Sequence, residues 1–432
     1  MYSRQMKTFL QTNIIILILM VSFNFMKAQY SGLDLLNHEP KKEIPFKYVN
    51  GFIIIKVFYS NFFELNFLFD TGASHNILFK KNVNDILGIG YTDTILIGGA
   101  DIQEKMKALV SRNIPMQLKN TNVILRDIIV LEEDFLELEK ILGTRIDGIL
   151  GGDFFKGLVI GIDHRKDKIT IYNPNKFKPN PKFSVHDIDI HNYKPYIKAP
   201  TEIGGKIDTL NYLIDTGASL ALLVHSNRDN EFEMPENVII GNLGKGLGGD
   251  ISGYIGMIDG LNIDQYRLPN IITSFQEIDS SFLDSDQIIR DGIIGNVILS
   301  RFHIIIDYMR EKLYLKQISK LDEEFDYDKS GMLIYALGEK LNQYYIKTIY
   351  PDTPAEEAGL LPGDKIVKIG FWPAKYYSLS GILNKLQGKE GKKIKLTILR
   401  NGEKIKTQFR LRNLFKKASN KKGASTKVET PK

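Results

Sequence analysis

The sequence contains no cysteine, which excludes disulfide bonds, thiolate metal sites, a cysteine nucleophile and the lipid-modified cysteine of a bacterial lipoprotein. Histidine is also scarce, and the seven histidines do not show the spacing of a metal site. Long hydrophobic runs are missing too, because the apolar stretch at 14–21 is shorter than the ~20 residues that a membrane-spanning helix needs. We therefore expect no metal, no cofactor and no stable membrane span.

The excess of basic charge lies at the two ends of the chain. The formal net charge is +6, of which residues 1–28 supply +3 and residues 416–432 supply +5, so about −2 remains for the body. This balance argues against a nucleic-acid partner. We interpret 1–28 as a cleaved signal peptide, which predicts an exported protein, periplasmic or secreted, and 416–432 as a disordered basic tail.

One stretch of ten residues occurs twice. The first copy, Leu65–Ser74, reads LNFLFDTGAS, and the second, Leu210–Ser219, reads LNYLIDTGAS, 145 residues further on. Two more blocks repeat in the same order. Residues 147–151 match residues 291–295, and residues 161–172 match residues 305–315. The β-branched and aromatic runs around them are typical of strands. The sequence therefore predicts two copies of one mostly β lobe.

Each copy places an aspartate where an apolar strand ends, Asp70 in the first and Asp215 in the second. If the lobes pack with pseudo-two-fold symmetry, the two carboxyl groups meet and must share a proton. One can then act as general base on a bound water while the other polarises a carbonyl. We expect the threonine hydroxyls to bond across the axis and the glycines to allow tight turns. These supporting residues are Thr71, Gly72, Thr216 and Gly217.

Other polar residues in the repeats have plainer interpretations. Asp163 and Asp307 occupy matching positions before turns, where a structural capping role is expected. His75 and His225 follow the two Asp-Thr-Gly elements at different offsets, so we do not expect them to be catalytic.

The doubled Asp-Thr-Gly-Ala-Ser element, followed by an apolar-apolar-Gly block, resembles the aspartic peptidase clan. Ala73 and Ala218 are more like the retroviral branch (retropepsin-like), and the two lobes in one chain are more like the pepsin branch. The resemblance implies pepsin-like β-barrel lobes, Asp70 and Asp215 as the catalytic pair, and a polypeptide substrate.

The C-terminal part carries a second resemblance. Residues 351–370 read PDTPAEEAGLLPGDKIVKIG, which is similar to the signature of a PDZ domain of the kind found with bacterial proteases. The resemblance implies an α+β unit that binds a peptide by strand addition. The predicted peptide groove is formed by Met332, Leu333, Ile334 and Tyr335. A role in docking against the two lobes is an equally open alternative.

Together these features predict a mostly β protein with lobe 1 at 40–180, lobe 2 at 184–318 and a PDZ-like domain at 330–415. The predicted function is that of an exported aspartic-type endopeptidase whose PDZ domain serves peptide docking or regulation. The alternative is a non-catalytic, peptide-binding scaffold protein of the cell envelope on the same fold.

Overall fold

The computed structural model describes residues 33–36, 38–98, 105–134, 136–226, 232–246, 249–278 and 290–415. The predicted signal peptide and basic tail lie outside these residues. The described residues are mostly β and form four sheets. Within the described ranges, every helix is too short or too polar to cross a membrane.

Lobe 1 contains an eight-stranded sheet in the order β2-β3-β4-β9-β5-β8-β7-β6, and β3 also pairs with β7. Its apolar runs, such as FIIIKVFY in β3, alternate towards a buried core. The strands are β2 Lys47–Val49, β3 Phe52–Tyr59, β4 Phe63–Phe69, β5 Ile77–Leu78, β6 Asp93–Gly98, β7 Lys105–Leu118, β8 Ile124–Val130 and β9 Gly148–Leu150.

Lobe 2 repeats this sheet with the same connectivity. Its order is β13-β14-β15-β20-β16-β19-β18-β17, and β14 also pairs with β18. The internal repeat read from the sequence is therefore present in the structure. The strands are β13 Asp189–His191, β14 Lys194–Ile203, β15 Lys206–Ile214, β16 Leu222–His225, β17 Ile239–Gly246, β18 Gly249–Ile263, β19 Tyr266–Gln276 and β20 Gly292–Ile294.

A six-stranded sheet joins the lobes, in the order β1-β11-β10-β21-β22-β12. Its middle pair is antiparallel, with Ile160 opposite Ile306 and Gly161 opposite Ile305, so each lobe contributes half of the sheet. The strands are β1 Lys41–Pro45, β10 Val159–Asp163, β11 Lys168–Tyr172, β12 Ser184–Asp187, β21 Phe302–Asp307 and β22 Lys312–Gln317.

The C-terminal unit is a separate α+β body with its own core. Its sheet runs β23-β24-β25-β27-β28, with β26 on β25. The strands are β23 Met332–Leu337, β24 Gln343–Ile349, β25 Lys365–Ile369, β26 Trp372–Pro373, β27 Lys393–Arg400 and β28 Glu403–Arg410. The described α-helices are α1 Asn82–Leu87, α2 Leu138–Leu142, α3 Asn296–Leu299, α4 Pro354–Glu357 and α5 Leu379–Leu386, and the 3-10 helices are Leu33–Leu36, Gly152–Phe155 and Ala374–Tyr376.

The connector between lobe 2 and the C-terminal unit is held in place by Arg301. Its guanidinium donates to the carbonyl oxygens of Leu321 and Glu323 at 2.7 and 2.8 Å. It also lies 3.7 Å from the ring centroid of Phe325. Because Arg301 is buried, these contacts tie the connector to the end of lobe 2.

Candidate functional site

The two aspartates lie where strands β4 and β15 end. Each of these strands pairs in parallel with a short strand of the repeated apolar-Gly block, β9 or β20. The backbone N–H of Asp70 donates to Leu150 O at 3.1 Å, and that of Asp215 donates to Ile294 O at 3.0 Å. The repeated block therefore fixes the backbone of both aspartates in the same way.

The structure brings the two carboxyl groups together, and they are hydrogen-bonded to each other. The neighbouring glycines make this approach possible. A Cβ atom at Gly72 would lie 2.4 Å from Cγ of Asp215, and one at Gly217 would lie 2.2 Å from Cγ of Asp70. Since non-bonded carbon atoms prefer about 3.5–4.0 Å, only glycine fits at either position.

The two threonines cross between the lobes and lock the pair. Thr71 donates its hydroxyl to Ile214 O at 2.7 Å, and Thr216 donates its hydroxyl to Phe69 O at 2.8 Å. Each hydroxyl oxygen also accepts the backbone N–H of the other threonine at 3.0 Å. Because both side chains are buried, these four bonds hold the ends of β4 and β15 rigidly against each other.

Asp70 is surrounded by groups that favour its protonated form. Burial, and after it the negative charge of Asp215, raise the pKa of Asp70 well above its usual range. The N–H groups of Gly72 and Ala73 donate to its Oδ1 at 2.7 and 3.0 Å and only partly oppose this rise. Raised pKa values are what two buried carboxyl groups that share a proton show.

Asp215 is 6% exposed, and burial raises its pKa as well. That rise is opposed by the N–H of Gly217, which donates to Oδ1 at 2.7 Å, and by the hydrogen bond from Asp70. The positive charges of Arg290 and Lys194 oppose it further. These groups favour the ionised form of Asp215.

Sequence reasoning missed these two cations. Lys194 begins β14, and burial followed by the charge of Arg290 lowers its pKa. Arg290 precedes the repeated block of lobe 2, at the position that Ile146 occupies in lobe 1. This replacement of an apolar residue by a cation, visible in the repeat alignment, was the signal that could have found Arg290.

Two hairpin turns reach across from one lobe to the other beside the pair. A Cβ at Gly51 would lie 2.7 Å from Cβ of Ser219, and a Cβ at Gly152 would lie 2.2 Å from the carbonyl oxygen of Tyr193. Asn296 donates its amide to Gly51 O at 2.9 Å and to Thr216 O at 2.6 Å. These contacts join residues far apart in the chain and had no local signal.

Beside Asp70, the His75 ring nitrogen Nδ1 lies 3.1 Å from Asp153 Oδ2, and this hydrogen bond raises the pKa of His75. His186 forms a second polar pair, with Nε2 2.7 Å from the hydroxyl of Ser184. No group of three or more metal-binding side chains occurs within the ranges that the structure covers. The absence of a metal and a cofactor stays a prediction.

The predicted peptide groove lies at the edge of the C-terminal sheet. Strand β23 pairs only with β24 along the sheet path and contains the four predicted groove residues. Met332 and Ile334 point into the core of the unit, Leu333 is half-buried and Tyr335 is 7% exposed. Met332 and Ile334 are therefore core residues of the C-terminal unit.

An internal carboxylate occupies the loop before β23. Asp328 Oδ1 accepts the N–H groups of Ser330 and Gly331 at 2.9 and 2.7 Å, and the Ser330 hydroxyl at 2.6 Å. Burial raises the pKa of Asp328, and these bonds oppose the rise. The N–H groups of Ser330 and Gly331 are thus already occupied by a carboxylate of the chain itself.

Lobe 1 contacts the opposite end of the groove. Gly143 ends helix α2 with φ +65°, and a Cβ there would lie 2.6 Å from Cβ of Leu379 and 3.6 Å from Cβ of Ala336. Leu379 begins α5 and Ala336 lies in β23, so this segment of lobe 1 packs between the two walls of the groove.

Comparison with known proteins identifies the C-terminal unit. A family model described as a PDZ domain matches residues 345–400. The chain is also 28% identical over 147 residues to a protein of Staphylococcus saprophyticus named "Probable CtpA-like serine protease". That match covers 33% of this chain and 29% of the relative. The chain therefore spans less than a third of the relative's length.

These matches correct the expected catalytic type. The sequence predicts an aspartyl, retropepsin-like protease, an aspartic-type endopeptidase, but the relative is named a serine protease, and neither match names an aspartic peptidase. The two types differ in the nucleophile, a side-chain hydroxyl in one and a water held by carboxylates in the other. The expectations of protease character and of a PDZ domain are supported, that of the aspartic type is contradicted, and the non-catalytic alternative gains no support. The chain contains a C-terminal PDZ domain.

Proposed function

We propose that this protein is a protease that acts on polypeptides, with Asp70 and Asp215 as catalytic residues that move protons at the scissile bond. The observation that carries the proposal is the pair of carboxyl groups, hydrogen-bonded to each other and packed reciprocally against Gly72 and Gly217. The name of the relative and the PDZ match support the protease class.

We assign different tasks to the two aspartates, because the positive charges of Arg290 and Lys194 favour the ionised form of Asp215. Asp70, to which this proposal gives the shared proton, donates a hydrogen bond to the substrate carbonyl and can protonate the leaving amine. Asp215 accepts the proton of the attacking side-chain hydroxyl group. Thr71, Gly72, Thr216 and Gly217 keep both carboxyl groups in place.

The serine-type relative directs attention to the two histidine pairs. His75 with Asp153 supplies an imidazole held by a carboxylate, as a base for a hydroxyl nucleophile requires. Ser184 with His186 supplies a hydroxyl beside an imidazole. The first pair lies close to the carboxylate pair, since the N–H of Asp153 donates to Ser74 O at 3.0 Å.

The finer description of the fold is also a proposal. We assign a pepsin-like, two-lobed arrangement with pseudo-two-fold symmetry to 40–180 and 184–318, supported by the identical strand order of the two sheets. Export to the periplasm or beyond stays a prediction from 1–28.

The PDZ domain is proposed to bind internal segments of polypeptide along the first part of β23, because lobe 1 packs against the strand at Ala336. The edge position of this strand supports strand addition, and the occupation of the Ser330 and Gly331 amides by Asp328 argues against capture of a free C-terminus. A peptide with an amidated C-terminus should therefore bind as tightly as its free acid, measured by calorimetry. Tenfold tighter binding of the free acid would refute this assignment.

The catalytic proposal is tested by hydrolysis of an unfolded protein substrate. Asp70→Asn and Asp215→Asn should each lower the rate at least about 100-fold, because each removes one proton-transfer partner. Asp189→Asn, at an exposed aspartate of β13, is the matched control and should keep the parent rate.

A serine-directed covalent reagent, tested on the parent and on the Ser184→Ala and His75→Gln variants, then identifies the nucleophile. Inhibition by the reagent together with loss of activity in the Asp variants supports a serine enzyme that uses the carboxylate pair. Full activity in both folded Asp variants would refute their catalytic role, and absence of hydrolysis in the parent at every pH would refute the protease assignment.

A further inference from the structure

Three large aromatic side chains project into solvent from one turn of the PDZ domain. Phe371, Trp372 and Tyr376 are 90%, 66% and 71% exposed. Phe371 follows Gly370, whose φ of +61° turns the chain between β25 and β26. Exposed aromatic residues this close in sequence are uncommon on a soluble domain and mark an interaction surface.

The surroundings of this aromatic turn are basic. Lys368 and Lys375 flank it and are exposed, and Lys375 Nζ lies 5.2 Å from the ring centroid of Tyr376. Lys395, also exposed, is held beside the turn because its carbonyl oxygen accepts the N–H of Gly370 at 2.8 Å. The sequence from 365 to 377 contains no acidic residue.

The charge of the whole domain has the same sign. Residues 330–415 contain 15 lysines and arginines against 7 aspartates and glutamates, a net charge of +8. Residues 29–329 contain 33 against 43, a net charge of −10. The overall charge of the body hides this separation, so the PDZ domain is the part that an anionic surface attracts and the two lobes are the part that it repels.

We propose that the aromatic turn is a peripheral membrane-docking surface that inserts into a bilayer containing anionic lipids. Aromatic rings that sit in the interface between headgroups and acyl chains, beside lysines that contact anionic headgroups, are the combination that such a surface requires. The groove side of the domain, where Gly143 contacts Leu379, already faces lobe 1. Docking through the turn would leave the two lobes on the aqueous side.

The test uses the full chain, in which Trp372 is the only tryptophan. Vesicles of phosphatidylcholine with phosphatidylglycerol should shift its fluorescence to shorter wavelength, and pure phosphatidylcholine vesicles should do so far less. Raising the salt concentration should weaken the binding.

The double variant Phe371→Ser with Tyr376→Ser should bind the anionic vesicles at least about tenfold more weakly, because it removes two inserted rings. Phe62→Ser, at a lobe 1 residue that is 72% exposed, is the matched control and should bind like the parent. All variants share the same N-terminal stretch, and circular dichroism confirms that each is folded.

The proposal is overturned if the Trp372 fluorescence does not respond to anionic vesicles, or if the double variant binds as the parent does. A response to polyglutamate without one to vesicles would assign the surface to an acidic polypeptide instead. Because the readout is binding, the result is independent of the protease proposal.

Discussion

Substitution of Gly72 by alanine should disable the carboxylate pair without unfolding the protein. The added Cβ would lie 2.4 Å from Cγ and 2.5 and 2.6 Å from the carboxylate oxygens of Asp215. Since a comfortable carbon contact needs about 3.5 Å, the Asp215 carboxyl group must move by about 1 Å. The crossed threonine bonds prevent the two lobes from separating to absorb this shift.

A displacement of about 1 Å at reacting groups costs roughly 100-fold in rate, so we expect kcat/KM of Gly72→Ala to fall by about that factor. Overpacking should also lower the free energy of unfolding by about 1–3 kcal/mol. Gly217→Ala should behave in the same way, because its Cβ would lie 2.2 Å from Cγ of Asp70.

Hydrolysis of a fluorogenic protein substrate measures the effect, and denaturant unfolding confirms that the variants are folded. Gly90→Ala is the matched control, since a Cβ there meets nothing within 4 Å and its φ is not left-handed. Retention of more than a third of the parent kcat/KM by folded Gly72→Ala would show that the pair is not where the chemistry takes place.

Three further predictions concern stability. Because the pKa of Asp70 is raised in the folded state, the folded protein keeps a proton that the unfolded chain releases near pH 4, so the contribution of Asp70 to the free energy of unfolding should fall as the pH rises from about 4. Urea unfolding at pH 4 to 7 measures this contribution as the difference between the parent and Asp70→Asn, and an equal pH dependence in the two would contradict the shared proton. Burial lowers the pKa of His164 from 6.5 to about 4, so His164 acts in the opposite direction and should contribute a loss of about 3 kcal/mol as the pH falls from 6.5 to 4. His164→Phe should remove that loss, whereas His75→Gln should deepen it, because the pKa of His75 is raised. Arg301→Ala removes three hydrogen bonds and a ring contact from the connector. It should cost about 2–4 kcal/mol and expose 319–325 to limited proteolysis; a cleavage pattern like that of the parent would show that the connector is held by other contacts.

The repeat accounts for most of what the sequence predicts correctly. Because the sequence blocks repeat at a nearly constant offset, the two lobes are expected to have the same strand order, and both eight-stranded sheets have it. The capping role of the repeated aspartates is confirmed too. Asp163 Oδ1 accepts the N–H of Arg165 at 3.1 Å, and Asp307 Oδ1 accepts those of Met309 and Arg310 at 3.1 and 3.0 Å. Such contacts span two or three residues, so the local sequence determines them.

Contacts between distant segments could not be predicted in this way. The packing of Gly143 between Ala336 and Leu379 joins residues more than 190 positions apart. The hydrogen bonds that Asp328 accepts are local, but only the fold shows that they occupy backbone N–H groups of the loop before β23. The catalytic type was predicted wrongly because a pattern of aspartates does not identify the nucleophile.

The positions at which the two lobes differ give the two carboxyl groups different surroundings. The residues that the lobes share act on Asp70 and Asp215 in the same way, since each aspartate donates its backbone N–H to the repeated block and each carboxyl group packs against a glycine of the opposite lobe. Symmetric surroundings alone would leave the proton divided evenly between the two carboxyl groups.

The cations of lobe 2 remove that symmetry. Arg290 stands where lobe 1 has Ile146, and Lys194 stands where the strand register places Phe52. Their charges favour the ionised form of Asp215, and the negative charge of Asp215 in turn favours the protonated form of Asp70. A general acid and a general base need opposite protonation states at one pH. In the proposed mechanism, the repeat supplies the two carboxyl groups, and the unrepeated cations favour Asp215 as the one that accepts a proton.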